Sequence, residues 1–220
     1  LIRVGRDHND DRIMTSLIDE VRFYNRTLTD VDIQRLLLSD VTAPGDTVQG
    51  VPNDGLMDGD NFGWPGAETP DLATDDDIGT KFLHFKGELE PTGFQVTPTA
   101  GPSIVTGLTL TTANDAIERD PISFELSGSN DGIDGPYTLI ASGDIVDFAQ
   151  ETALPRFTMN ATPIMFENDV AYKYYQVMFP AVRDPGSANS MQIAEVELLG
   201  VLGIPGPVAH WTLDDGEGTI

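Results

Sequence analysis

The chain contains no cysteine. That excludes disulfides, thiolate catalysis and cysteine-ligated zinc. Bases are scarce, with 12 Lys and Arg against 36 Asp and Glu, for a formal charge of −24. Phosphate recognition needs clustered Lys and Arg, so this balance argues against nucleic acid and anionic membranes as partners. No apolar run approaches the roughly 18 residues of a bilayer-spanning helix, and no membrane insertion is expected. There are only three histidines, His8, His84 and His210. No Ser-His-Asp arrangement with a recognisable elbow and no Gly-rich phosphate loop accompanies them. Nothing among the acids picks out a pair for glycoside hydrolysis. The expectation is a non-catalytic chain. No signal peptide is visible. The sequence begins at Leu1 without Met and stops inside Gly216-Glu217-Gly218-Thr219-Ile220. It therefore reads as an excerpt of a longer protein, and a missing signal says nothing about export.

What is present suits a folded protein. At 220 residues and 40% apolar composition, one or two domains with a packed core are expected. Leu1-Ile2-Arg3-Val4-Gly5 and Leu17 to Tyr24 alternate as half-buried strands do. Thr29 and Asp32 form a capping-box start for a short helix striped by Ile33, Leu36 and Leu37. From Val41 to Pro70, Gly, Pro, Asp and Asn give linker composition, with Phe62 and Trp64 expected to dock part of it. From Asp71 to Gly200 the pattern is all-β. Alternating runs at Ile104–Leu110, Ile122–Leu126, Tyr137–Ile140, Ala171–Phe179 and Ile193–Leu199 are separated by turn residues, which indicates a β-sandwich or jelly roll. Pro205-Gly206-Pro207 marks a boundary before a last strand, Val208 to Leu213.

Ala73-Thr74-Asp75-Asp76-Asp77-Ile78-Gly79-Thr80-Lys81-Phe82 packs three carboxylates and a hydroxyl into one turn before an apolar strand. Adjacent like charges repel unless water or a cation neutralises them. Calcium takes about six to eight oxygen ligands of these kinds. The turn is either such a site or a solvated acidic loop.

Two families are similar to parts of this chain. Ile18-Asp19-Glu20-Val21-Arg22-Phe23-Tyr24-Asn25-Arg26-Thr27-Leu28-Thr29 resembles the C-terminal end of a laminin G-like (concanavalin A-like) jelly roll. Val208 to Ile220, with Trp211-Thr212-Leu213-Asp214-Asp215-Gly216-Glu217-Gly218-Thr219, resembles the N-terminal strand of the next one. Between them, Ala73-x-Asp75-x-Asp77-x-x-Thr80-x-Phe82 resembles an early turn of the discoidin-like, coagulation-factor type C family, which includes galactose-binding carbohydrate-binding modules. Arg119-Asp120-Pro121 followed by Phe124 to Gly132, and then Ile193-Ala194-Glu195-Val196-Glu197-Leu198, continue that resemblance in order. Phe82 stands where the family usually has Trp. The resemblance implies a structural calcium held by the carbonyls of Leu72 and Ala194, the side chains of Asp75 and Asp77, Thr80, and the Glu195 carboxylate, with Asp76 facing water.

The expected organisation is therefore a laminin G-like end at 1–40, a linker or docked loop at 41–70, a discoidin-like β-sandwich at 71–204, and the start of another laminin G-like domain at 205–220. If the flanking parts complete one another, Leu17–Tyr24 pairs with Val208–Leu213. A neutral sugar needs an aromatic platform and a few forked polar groups. Trp64, Arg183 and Asn189 are the candidate ligand contacts, with Phe62, His84, Asn114 and Arg119 also available. The two Arg-Asp-Pro motifs offer either sugar-gripping arginines or loop-pinning salt bridges. Trp64 is either a platform or a loop anchor, and His84 is expected to be structural. The functional expectation is a calcium-stabilised recognition module for a neutral glycan in a secreted or cell-surface multidomain bacterial protein, working beside neighbouring domains of its own chain. The alternatives are a structural or adhesion spacer without a small ligand, and an accessory domain of an enzyme encoded elsewhere in the parent.

Overall fold

A computed structural model of the chain describes residues 38–57 and 62–202. The segments that resemble laminin G-like strands, the helix expected after Thr29, and the pairing of Leu17–Tyr24 with Val208–Leu213 lie outside the described residues. Among those described there is no α-helix and no helix able to cross a membrane. The described residues form eleven strands and two short 3₁₀ turns, Pro70–Ala73 and Ile117–Arg119.

The strands are β1 (Ser39–Asp40), β2 (Thr47–Val51), β3 (Phe82–His84), β4 (Thr92–Thr97), β5 (Ser103–Thr111), β6 (Ser123–Ser129), β7 (Thr138–Asp144), β8 (Ile164–Met165), β9 (Tyr174–Phe179), β10 (Met191–Ile193) and β11 (Glu195–Leu202). A five-stranded sheet runs β2-β4-β9-β6-β7, a four-stranded sheet runs β1-β11-β5-β8, and β3 pairs with β10. Every pairing is antiparallel. The all-β sandwich expected from the alternating pattern is what forms.

Period-2 alternation fixes which side chains meet between the sheets. Tyr175, Val177 and Phe179 of β9 are buried, while Tyr174, Gln176 and Met178 are half-exposed on the outer face. Phe94, Val96, Phe124 and Leu126 extend that inner face, opposite Val105, Leu108, Leu110, Val196 and Leu198 of the other sheet. Each such burial stabilises by about 1.5–3 kcal/mol relative to leaving the side chain exposed. The outer face is polar: Gln49, Gln95 and Gln176 bond in series across three strands, at 2.6 and 2.8 Å.

The 41–70 segment corrects the linker expectation. β1 pairs with β11 and β2 pairs with β4, and Val41 is fully buried. The sandwich therefore begins near residue 38. The turn-rich composition masked a short alternating run, Thr47-Val48-Gln49-Gly50-Val51, on a sheet edge. Gly50 is required there: a Cβ would lie 2.2 Å from the Trp64 ring.

Candidate functional site

The acidic turn follows the 3₁₀ turn Pro70–Ala73, which packs on β3 and β11. Within the turn, the Thr80 hydroxyl donates to Asp75 at 2.9 Å, and the Asp77 and Gly79 amides donate to Asp75 and Asp77 carboxylates at 3.1 and 2.8 Å. Asp76 takes φ of 60°. The Asp77 amide also donates to Glu195 Oε1 at 3.0 Å, across 118 residues. The start of the sandwich thus meets the first residue of β11, and the Ala194 amide beside it donates to the Thr111 carbonyl at 3.0 Å.

Glu195 carries the electrostatic cost of this meeting. It is 4% exposed, and its Oε2 is buried without a hydrogen-bond partner. Burial, then the adjoining Asp75 carboxyl and then Glu197, push its carboxyl up to about 9. Glu197 is likewise pushed up to about 7, chiefly by burial and the charge of Asp40. Asp76 is exposed, but its carboxyl bears on Glu197 rather than on water alone.

These residues fit a hard cation by two observations. An orphaned buried carboxylate oxygen needs a partner, and the surrounding donors are all oxygens, which suits calcium. Among the described residues no group of three or more His, Asp or Glu side chains is gathered to hold a metal by itself. The fit therefore rests on Asp75 and Glu195 together with the Thr80 hydroxyl, and the Leu72 and Ala194 carbonyls belong to the set only through the resemblance. The Asp77 carboxylate is engaged by the Gly79 amide.

The candidate ligand contacts scatter. Trp64 is 7% exposed and packs edge-on against Phe82 and His84, with ring centroids 6.2 and 5.7 Å away. It anchors the loop, and its buried ring presents no face for stacking. His84 is fully buried, with Nε2 3.0 Å from the Pro52 carbonyl and Nδ1 accepting from the Lys86 amide. Desolvation lowers its pKa, so it is structural, as expected. The Arg183 guanidinium donates to the carbonyls of Phe148, Gln150 and Glu151, the last at 2.9 Å. It clamps the 145–151 loop instead of reaching outward. Asn189 is exposed, and its side-chain oxygen accepts from Ser190 at 3.2 Å.

The loop that Arg183 holds frames a hollow. A cavity of about 350 Å³ opens between the end of β7 and the 160–164 segment, lined by Asp144, Val146, Asn160, Thr162, Pro163 and Ile164 among others. Asp147 ties its two walls by accepting from the Ala161 amide at 2.7 Å.

The two Arg-Asp-Pro motifs lie side by side: the Arg183 amide donates to the Asp120 carbonyl at 2.8 Å and Pro121 bridges Val182. Neither arginine pairs with the aspartate of its own motif. Asp120, 2% exposed, is gripped by both terminal nitrogens of Arg156, at 2.8 and 2.5 Å. Arg119 stands 4.0 Å from Asp115. Lys81, 6% exposed, reaches Asp115 and Gln192 at 3.0 Å and stitches the 112–122 loop to β10. Arg156, Phe157 and Glu197 escaped sequence reasoning, and only the alternation Glu195-Val196-Glu197 carried a local hint of the last.

No family model matches the sequence, and no curated protein matches it either. Solved structures do match its fold. The CBM32-1 and CBM32-2 domains of Clostridium perfringens ZmpB align with TM-score 0.53 at 17% identity, over 80% of this chain and 40% of that one. CBM32-3 of a family 31 glycoside hydrolase from C. perfringens aligns with TM-score 0.51 at 12% identity, over 62% of this chain and 85% of that one. The family 32 module of C. perfringens NanJ, solved with galactose, aligns with TM-score 0.50 at 14% identity, over 70% of this chain and 93% of that one. At these identities the likeness is one of architecture, and the described chain has the galactose-binding-like β-sandwich fold of family 32 carbohydrate-binding modules.

Proposed function

We propose that this β-sandwich is a non-catalytic glycan-recognition module whose fold is held by one calcium ion. The observation that carries the reading is the alignment of the sandwich with 93% of the length of a module solved with galactose. The Leu72 and Ala194 carbonyls, Asp75, Asp77, Thr80 and Glu195 would hold the ion. Bound calcium supplies positive charge to carboxylates that otherwise repel, and it takes no part in chemistry. The clamp joins the turn before β3 to the start of β11, so the ion acts on stability. The module belongs to a secreted or cell-surface multidomain protein and works beside neighbouring domains of its own chain. A glycan array with galactose- and N-acetylgalactosamine-terminated glycans tests the reading, and retention of at least one glycan is the expected result. One observation favours the rival spacer or adhesion role: Trp64 is buried and Arg183 is engaged by backbone carbonyls, so two expected ligand contacts are already committed. Retention of no glycan would leave that role standing.

A further inference from the structure

Among the described residues, three that are not glycine have φ in the left-handed region: Asp76 at 60°, Ala116 at 41° and Phe157 at 56°. Asp tolerates this conformation, but a bulky aromatic residue there is an outlier. Such strain persists only where the surroundings over-determine it, and it gathers at ligand clamps. Phe157 meets the first condition. On one side, Arg156 holds the Asp120 carboxylate and donates to the Asp115 carbonyl at 3.0 Å. On the other side, the Thr158 amide donates to the Thr112 hydroxyl at 3.0 Å, while the Thr158 carbonyl accepts from the Thr112 amide at 3.0 Å. The Phe157 amide itself donates to the Thr112 carbonyl at 3.0 Å.

The ring gains little from this arrangement within the fold. It is 45% exposed and belongs to no part of the buried core. A strained backbone that lifts an aromatic ring into water is unfavourable twice over, and glycine would serve the turn at less cost. The cost is offset if the ring meets something outside the chain. The loop that pins it carries exposed Asn114, and Arg119 beside it has a buried Nε with no hydrogen-bond partner. Ala116, the other strained residue, sits in the same loop. The carboxylates of Asp115 and Asp120 answer the guanidinium groups of Arg119 and Arg156, so no spare cation waits for an acidic sugar.

We propose that Phe157 is an aromatic platform on which an uncharged pyranose stacks through its apolar face, with Asn114 within the same loop surface to meet ring hydroxyls. This rests on the glycan-recognition reading. The test is titration of the wild-type chain, Phe157→Ala, Phe157→Trp and Phe157→Gly with whichever galactose- or N-acetylgalactosamine-terminated oligosaccharide the wild type retains on the array, and with glucuronate. The calcium-dependent rise in Tm serves as the check on folding. Phe157→Ala is expected to weaken binding at least tenfold and Phe157→Trp to preserve it. Phe157→Gly is expected to lose binding while raising Tm, because glycine relieves the strain. Glucuronate is expected not to bind. Wild-type-like affinity in Phe157→Ala, a lowered Tm in Phe157→Gly, or equal binding of glucuronate overturns the platform and leaves the glycan-recognition reading intact. A wild-type chain that retains no glycan overturns both.

Discussion

The acidic turn and the Phe157 loop pair lie at the same end of the sandwich, and each contains a left-handed residue that is not glycine, yet they are held in opposite ways. In the turn the backbone groups are satisfied, while the Glu195 carboxylate is buried with an orphaned oxygen. In the loop pair the buried charge is matched, because Asp120 is gripped by two nitrogens of Arg156, while the backbone at Phe157 is strained. The first region keeps a buried carboxylate oxygen without a partner, and the second pairs its buried carboxylate at the expense of conformation, while the Nε atoms of Arg119 and Arg156 stay unpartnered. On the proposed reading, the first region would be completed by an ion and the second would be ready before any ligand arrives. Either ligand raises Tm if it binds only the folded state, so the two regions are separated by variants that remove one response and keep the other.

The largest expected effect breaks the loop pair. Arg156→Met leaves the Asp120 carboxylate buried and unpaired, which costs about 3–5 kcal/mol. Glycan retention should disappear with it, because Phe157 loses one of its two anchors. The calcium-induced rise in Tm should survive, and its loss in this variant would show that the two regions form one unit.

Calcium itself comes next. A ligand that binds only the folded state stabilises by about 2.7 kcal/mol at a hundredfold excess over its Kd, so thermal unfolding should shift upward in calcium and downward in chelator. An unchanged Tm sinks the clamp.

A smaller effect appears with pH in chelator. The folded-state Glu195 carboxyl is raised to about 9 from an ordinary 4.5, so its contribution to stability is fully present below about 4.5 and is lost as pH rises through about 9. Tm without calcium should fall over that window, and calcium should flatten the fall. Glu195→Gln, which cannot ionise, should remove the response to calcium and the part of the fall above about pH 7, leaving below it the contribution of Glu197, whose carboxyl is raised to about 7. A fall that persists between about 7 and 9 in this variant assigns the titration elsewhere.

The smallest effect is expected at Asn189. It is exposed at the edge of the 184–190 loop, and a neutral hydrogen bond contributes about 0.5–1.5 kcal/mol. Asn189→Ala should weaken glycan binding by roughly 2- to 12-fold and leave Tm alone. No change removes it from the binding surface.

Much of the fold could be read from the sequence because its signal is local. Alternation puts Tyr175, Val177 and Phe179 on one face and Tyr172, Tyr174 and Met178 on the other, and burial in the structure decides that the first set is inward; the turn from Asp75 to Thr80 declares its oxygens within six residues. β2 was hidden because Gly50, needed under the Trp64 ring, and the surrounding turn residues broke the expected composition. Trp64 was ambiguous for a related reason: an aromatic ring in a Gly-rich loop reads alike whether it faces water or packs on Phe82. Arg183 and Arg156 could not be placed, since all but one of their partners lie 32–41 residues away and most are backbone carbonyls without a residue signature. Phe157 left no trace at all, because φ is set by the anchors on either side and not by its own identity.

The burial of Lys81 has a practical consequence. The chain has three lysines, Lys81, Lys86 and Lys173. Lys81 is enclosed by Glu68, Asp115 and Gln192, and Lys86 is paired with Asp54 and Glu90. Lys173 is exposed, just before β9, whose far end leads to the bridge between Val182 and Pro121. Six strand residues, roughly 20 Å, separate it from the Phe157 end. Among side-chain amines, coupling chemistry should therefore favour Lys173 and attach the module to a sensor or bead with its loop end outward, in one orientation and without engineering.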